Sequence, residues 1–411
     1  MTKDLQALFH ADPPDAGDLK ELFCNREREL GMAIAQLRGS KARQVYAIHG
    51  TRRSGKSHFA HRLLLQVADD GLPYRCLIVN AFNRGSARAV LAETYFQFSK
   101  ALLKLTPTNP VHVRERDDLL ALKTRIDRDG TEYTTAAANK AGLGGELSLQ
   151  GTAGVPQVAS GTTGIKGTYQ REDTLTLSEK HTSLSDRDVV TVLERSARLC
   201  CVETASPRFL VLIDDLDVVD LAGDEEAPAS NELVNLLRPL AESPFVAVIA
   251  TVSNRYIDGR EKLFCDLTEL GPMPGQHLRE AYERRVRRFH EGEPVFNEDA
   301  LRLIVASAAG RVGIFFNNCY EVHRHAGLDA QYPIGLDAIN AYARWKVEVW
   351  SSNDRYAEAI KATAEAIRGG ATEVDLAEDM RKTALHLGLI SPILGRAKVW
   401  AINPLFQRAF A

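Results

Sequence analysis

Residues 49–57, HGTRRSGKS, constrain this chain more than any other stretch. They follow the apolar run Val45, Tyr46, Ala47, Ile48, and Gly50, Gly55, Lys56 and Ser57 fill the pattern GxxxxGK[ST] of a phosphate-binding loop. Glycines let backbone N–H groups turn inward around phosphate oxygens, and a helix beginning at the lysine points its positive end at them. Phe59, Ala60, Leu63, Leu64 and Leu65 supply that helix with an apolar stripe, so strand, loop and helix come in the required order. The expected phosphate-holding set is Gly50, Thr51, Arg52, Arg53, Ser54, Gly55, Lys56, Ser57 and His58. Lys56 reaches the β- and γ-phosphates of ATP and the Ser57 hydroxyl ligates Mg²⁺. Arg52 and Arg53 put extra positive charge inside the loop, directed at phosphate or at a neighbouring subunit.

The second chemical motif is PRFLVLIDDLDVVD. Its continuous apolar run suits a central parallel strand, and it ends in Asp214, Asp215 and Asp217. Ligands bind at the carboxyl ends of parallel strands, which places this acidic cluster where Mg²⁺ belongs. Asp214 is expected in the metal shell, mostly through water, and Asp215 beside the attacking water. A third apolar run, FVAVIA, ends in Thr251, Ser253 and Asn254.

The order of these motifs resembles AAA+ ATPases of the origin-recognition-like and signal-transducing branches. An FxxRExEL helix start at Phe23, Arg26, Glu27, Glu29 and Leu30 adds to the likeness, and in that family this segment packs beside the adenine. The resemblance covers residues 22–325. It implies a three-layer α/β P-loop NTPase core with a parallel sheet, a helical lid and a small C-terminal winged-helix-like domain. The expected division is an N-terminal arm (1–21) lying on the surface, a nucleotide-binding core (22–292), a lid (293–336) and a C-terminal segment (337–411). The third apolar run corresponds to the sensor-1 strand, lying between the two motif-bearing strands, with Asn254 the first choice for its polar residue and Thr251 the second. Arg260 is the preferred arginine finger. Two departures stand out. Asp215 replaces the usual glutamate, which implies slow, switch-like hydrolysis, and Gly313 occupies the place of the lid arginine, leaving Arg311 as its substitute.

Between the motifs, residues 106–186 form a Gly-rich insertion with period-two alternation at 146–150 and 174–177, read as two extended arms or as linker. Residues 278–289, LREAYERRVRRF, offer a basic patch or a solvated helical face. A net charge of −3 over 411 residues supplies no global attraction to nucleic acid or anionic membrane. No run is apolar enough to span a bilayer, and no signal-peptide core opens the chain, so a cytoplasmic protein is expected. Six cysteines without a CxxC pair read as buried thiols. Nuclease, protease and deaminase signatures are absent from the sequence. The expectation is therefore an ATPase that forms homo-oligomers, binds Mg-ATP at a subunit interface and engages a protein effector in phage defence or mobile-element biology. The alternative is an ATP-gated DNA loader or matchmaker, with nucleic acid as its partner.

Overall fold

A computed structural model of the chain describes residues 8–9, 16–39, 45–81, 86–122, 126, 184–204, 208–217, 229–327, 331–392 and 400–410. The arms expected at 146–150 and 174–177 lie outside them. At the centre is a five-stranded sheet of β1 (Val45–Gly50), β2 (Tyr74–Asn80), β3 (Arg208–Asp214), β4 (Val246–Ser253) and β5 (Asp266–Leu270) in the order β2-β3-β4-β1-β5. All neighbouring pairs are parallel. The strand expected between the two motif-bearing strands is there: β4 pairs with β1 on one side and β3 on the other.

Alternation along the strands builds the layers. Val45 and Ala47 of β1, Phe209, Val211 and Ile213 of β3 and Val246, Val248 and Ala250 of β4 pack into one core with α4 (Ala87–Leu103), α5 (Pro110–Ala121), α6 (Asp186–Thr204) and α7 (Ala229–Glu242). The intervening Tyr46, Ile48, Leu210, Leu212, Ala247 and Ile249 pack against α2 (Glu27–Gly39) and α3 (Lys56–Asp69) on the other face. This is a three-layer P-loop NTPase core. Each large side chain withdrawn from water contributes about 1.5–3 kcal/mol, so β3, with residues 209–213 fully buried, is held chiefly by its own apolar run. Apolar on both faces, such a strand has no polar alternation to fix its register. The hydrogen bonds made by its acidic end supply that constraint.

Beyond β5 come α9 (Gly275–Phe289), α10 (Glu298–Ala308) and α11 (Val312–Ala326). Asn297 caps α10, its side chain accepting from the Ala300 N–H at 2.9 Å. The chain continues through α12 (Leu336–Ser351), α13 (Asp354–Arg368), β6 (Glu373–Val374), α14 (Glu378–Leu387), β7 (Ile390–Pro392), β8 (Trp400–Ile402) and α15 (Pro404–Phe410). The three short strands pair antiparallel in the order β6-β8-β7, giving the helix, turn and hairpin of a winged-helix-like arrangement. Buried residues from Met273 to Phe406 form a single apolar cluster, so lid and C-terminal segment share one core.

The start of the chain departs from the expected surface arm. Leu8 and Phe9 are buried in that lid cluster, Phe9 with its ring 6.0 Å from Phe296, and Asp18 lies in a helix, α1 (Ala16–Leu22), whose Leu19 is buried. Alternating charge and proline around this segment conceals two large apolar residues just ahead of it. The arginines of α9 are also mostly spoken for. Arg284 pairs with Glu280 at 2.7 Å, Arg288 with Asp18 at 2.9 Å, and Arg285 is buried, its guanidinium 4.0 Å from the Phe316 ring and donating to the Leu8 carbonyl at 3.1 Å.

Candidate nucleotide site

The loop between β1 and α3 is shaped by two glycines with different tasks. A Cβ on Gly50 would stand 2.6 Å from Ser54 Oγ and 2.7 Å from the Leu270 carbonyl oxygen, so no larger residue fits without moving backbone. Gly55 sits at φ +91° immediately before α3, a left-handed conformation that side chains resist. Ser54 N–H donates to the Thr51 carbonyl at 3.1 Å and closes the turn. Lys56 is buried, and among the described residues its ammonium bonds to the carbonyls of Thr51 at 3.3 Å and Gly50 at 3.5 Å. Burial pushes its pKa down, and the nearby Asp217, Asp215 and Asp214 oppose that shift. A buried cation with such long contacts suits an anion, and the buried Thr51 Oγ1 and Ser54 Oγ have no hydrogen-bond partner among the described residues.

The strand order brings the acidic cluster to the foot of α3. Ser57 Oγ donates to Asp214 Oδ1 at 3.1 Å, and Thr251 Oγ1 donates to the same oxygen at 2.5 Å. Thr251 also accepts from the Asp215 N–H at 2.7 Å, while Asp217 Oδ2 accepts from the Ser253 N–H at 3.0 Å. The end of β3 is thus bonded to the end of β4 at successive positions. Asp215 takes φ +55°, an uncommon conformation for a residue with a side chain, and its carboxyl is pushed up to about 6 by burial first and by Asp214 second. Ser57 Oγ and Asp214 Oδ1 fit a hard cation such as Mg²⁺, which accepts one or two protein oxygens and keeps its other positions for phosphate and water.

Of the residues named from sequence, Gly50 through Ser57, Asp214 and Asp215 converge at this site. Asn254 does not touch the acidic cluster. It begins a short helix, α8 (Asn254–Ile257), where its Oδ1 accepts from His49 Nδ1 at 2.9 Å and its amide reaches Glu269 at 3.5 Å. Thr251, the second choice, is the β4 residue in contact with Asp214. Arg260 donates to the Tyr256 carbonyl at 3.2 Å with its guanidinium 5.2 Å from that ring, so within one chain it is folded onto its own turn.

Arg311 precedes α11 and donates to the Ala308 carbonyl at 3.4 Å, and burial and the neighbouring Arg53 both lower its pKa. Gly313, two residues further on, meets the phosphate loop. Gly313 N–H donates to the Arg53 carbonyl at 2.9 Å, and a Cβ on Gly313 would lie 3.0 Å from Arg53 Cβ. The lid sits directly on the tip of the phosphate loop, and a side chain at this contact would meet Arg53 more closely than ordinary van der Waals packing.

Beside the loop a cavity opens between Phe23 and Cys24, Ser54 and His58, and Val312 and Phe316 of α11. Arg26, a plausible solvated residue from its sequence, is instead buried at its edge, pairing with Glu29 at 3.0 Å and donating to the Gly271 carbonyl. The segment ahead of α2 is thereby tied to the chain leaving β5.

No protein-family model matches the chain, and no curated protein matches its sequence. Among solved structures the chain is similar to the ORC1 protein of Aeropyrum pernix in complex with DNA, at 14% identity and a TM-score of 0.46, over 98% of this chain and 95% of that one. It is also similar to a Walker-type ATPase of Pyrococcus abyssi, at 15% identity and a TM-score of 0.45, over 98% and 99%. Among the described residues no helix is long and apolar enough to cross a membrane.

Proposed function

We propose that the protein is an AAA+-type ATPase that binds Mg-ATP between the phosphate loop, the segment ahead of α2 and the lid. The observation that carries this reading is the shared contact at Asp214: the Ser57 hydroxyl and the Thr251 hydroxyl meet on one carboxylate oxygen, next to the buried Lys56. Lys56 holds the β- and γ-phosphates, and Ser57 with Asp214 holds Mg²⁺, which when bound neutralises charge on the phosphate oxygens. Asp215 orients the attacking water through a carboxylate whose backbone is fixed by Thr251. Because aspartate reaches one methylene less far than glutamate, turnover is slow and switch-like.

The product of this chemistry is a movement of the lid, since Gly313 is bonded to the loop and the lid core continues into the C-terminal segment. Such a protein works by assembling with copies of itself, Arg260 completing a neighbour's site, and by engaging an effector in phage defence or mobile-element biology. Two variants test the core of the reading. Lys56→Ala abolishes binding of a fluorescent ATP analogue, whereas Asp215→Asn binds it and stops turnover. Unchanged affinity in the first variant refutes the site. Light scattering with and without a slowly hydrolysed analogue tests assembly, and a mass that stays at the monomer value sinks that part.

A second reading rests on the helix, turn and hairpin of residues 378–402. It makes the protein an ATP-gated DNA binder, and a steep salt dependence of duplex binding by the full chain supports it.

A further inference from the structure

The two arginines of the phosphate loop have different surroundings. Lys56 feels Asp217, Asp215 and Asp214, and Arg52 acts on Asp215, so both belong to the acidic end of β3. Arg53 does not. Its backbone takes φ +66°, in the left-handed region, and its carbonyl accepts from Gly313 N–H at the seam between loop and lid. Across that seam stands Arg311, and partial burial followed by a neighbouring arginine lowers the pKa of each: Arg52 acts on Arg53, and Arg53 on Arg311. No carboxylate among the described residues acts on either guanidinium, and Arg311 donates only a long bond, 3.4 Å, to the Ala308 carbonyl. Two neighbouring guanidiniums, partly desolvated and without a counter-charge, make a seat for an anion. The seat stands apart from Asp214 and Ser57, where the ATP reading puts the metal and the β- and γ-phosphates. A matching charge lies on the turn after β4. Asp258 and Glu261, both exposed, flank Arg260. Glu261 accepts from the Gly259 N–H at 3.3 Å within its own turn, whereas the Asp258 carboxylate has no cation partner among the described residues.

We propose that Asp258 of one copy of this chain seats its carboxylate between Arg53 and Arg311 of the next, fastening the turn after β4 to the seam between a neighbour's loop and lid. The pairing rests on the assembly reading above, in which Arg260 completes a neighbour's site, and adds a second contact that sets how the copies meet. Asp258 lies two positions from Arg260, a backbone span of at most about 7 Å, so an arginine laid on a neighbour's phosphates brings Asp258 over that neighbour's loop tip. A carboxylate on two guanidiniums makes charge-assisted hydrogen bonds, stronger than neutral ones. The contact is heterologous: each copy offers a loop tip to one neighbour and a turn to the other. Because Arg53 and Arg311 come from different elements, the seat is complete only while the lid rests on the loop. Nucleotide that holds the lid there favours assembly.

The test uses the purified full chain with Mg²⁺ and a slowly hydrolysed ATP analogue, mass being read by light scattering. The wild type assembles. Asp258→Arg and Arg53→Glu each set like charges against one another and weaken assembly at least about 10-fold. Mixed in equal amounts, the two variants assemble again, since the reversed loop of one meets the reversed turn of the other and the two unaltered halves also meet. Asp258→Arg, which lies outside the chain's own nucleotide site, still binds a fluorescent ATP analogue as an isolated subunit. Should Arg53→Glu fail to fold by circular dichroism, Arg311→Glu takes its place in the mixture. Wild-type assembly by Asp258→Arg, or a mixture of folded variants that stays monomeric, overturns the pairing. If the wild type binds the analogue and never assembles, the pairing falls with the assembly reading and the ATP site stands; a wild type that takes up no nucleotide removes the ATP reading as well.

Discussion

Replacing Thr251 by valine removes one oxygen and keeps the shape of the side chain. Thr251 is fully buried, and its hydroxyl makes two bonds at once, donating to Asp214 Oδ1 at 2.5 Å and accepting from the Asp215 N–H at 2.7 Å. A hydrogen bond to a charged group is worth about 1.5–3 kcal/mol, and a buried N–H left unmet costs about 1–3 kcal/mol. Asp214 keeps its bond from Ser57 at 3.1 Å, which places the sum in the lower part of its range, at about 2.5–4 kcal/mol. Valine leaves no cavity, so no packing loss adds to it. At roughly 1 °C per kcal/mol for a chain of this size, the nucleotide-free protein melts about 3–5 °C lower. Hydrolysis falls further than stability alone accounts for, because the Asp215 backbone loses the tether that holds its left-handed conformation. A loss of about 10-fold or more in turnover follows from a displacement costing about 1.4 kcal/mol. Differential scanning fluorimetry and a phosphate-release assay on Thr251→Val, with Thr251→Ser retaining the hydroxyl as control, read both effects. A valine variant that melts within 1 °C of the wild type, as an order-of-magnitude threshold, and turns over at the same rate would show that the Asp214 contact carries nothing.

Two further outcomes follow from the site. Asp215 has its pKa raised to about 6 from 3.8, so the folded protein holds that proton more tightly than the unfolded chain; the resulting stabilisation is fully present below 3.8 and is lost as pH rises through about 6. Asp215→Asn therefore stabilises the nucleotide-free protein at pH 8 and hardly changes it at pH 4, and wild-type kcat/KM falls as pH drops through about 6; a flat profile between pH 5 and 8 refutes the assignment of the water-positioning role. Gly313→Ala places a methyl 3.0 Å from Arg53 Cβ and forces the lid off the loop, at about 1–3 kcal/mol of overpacking, so nucleotide affinity drops and proteolysis of the lid speeds up; unaltered affinity would mean that lid and loop are not coupled there.

The middle of the sheet was readable from the sequence because β1, β3 and β4 are apolar runs ending in polar residues, while the edge strand β5, DLTEL, has no such run, and the phosphate loop because its glycines serve a backbone geometry that few other sequences need. What escaped depends on partners distant in the chain. Whether Thr251 or Asn254 meets the acidic cluster turns on the register of β4 against β3, with Ile213 opposite Ala250, and no local pattern encodes that pairing. The approach of Gly313 to Arg53 likewise joins residues far apart in the chain. Arg26 and Arg285 carry the composition of surface residues, yet their burial is made tolerable by backbone carbonyls contributed from 245 and 277 positions away. Leu8 and Phe9 sit beside an acidic, proline-containing stretch whose composition masks them.

The bond from Gly313 to Arg53 has a mechanical consequence. Since the lid and the C-terminal segment are built around one continuous core, the first turn of α11 acts as the short arm of a lever and α12 through α15 as the long one. A small displacement of the loop tip is therefore magnified at the far end of the chain, where the winged-helix-like strands lie. The chain's own start is gripped by the same core through Leu8 and Phe9, so the first residues of the chain belong to the same rigid packing as the winged-helix-like strands.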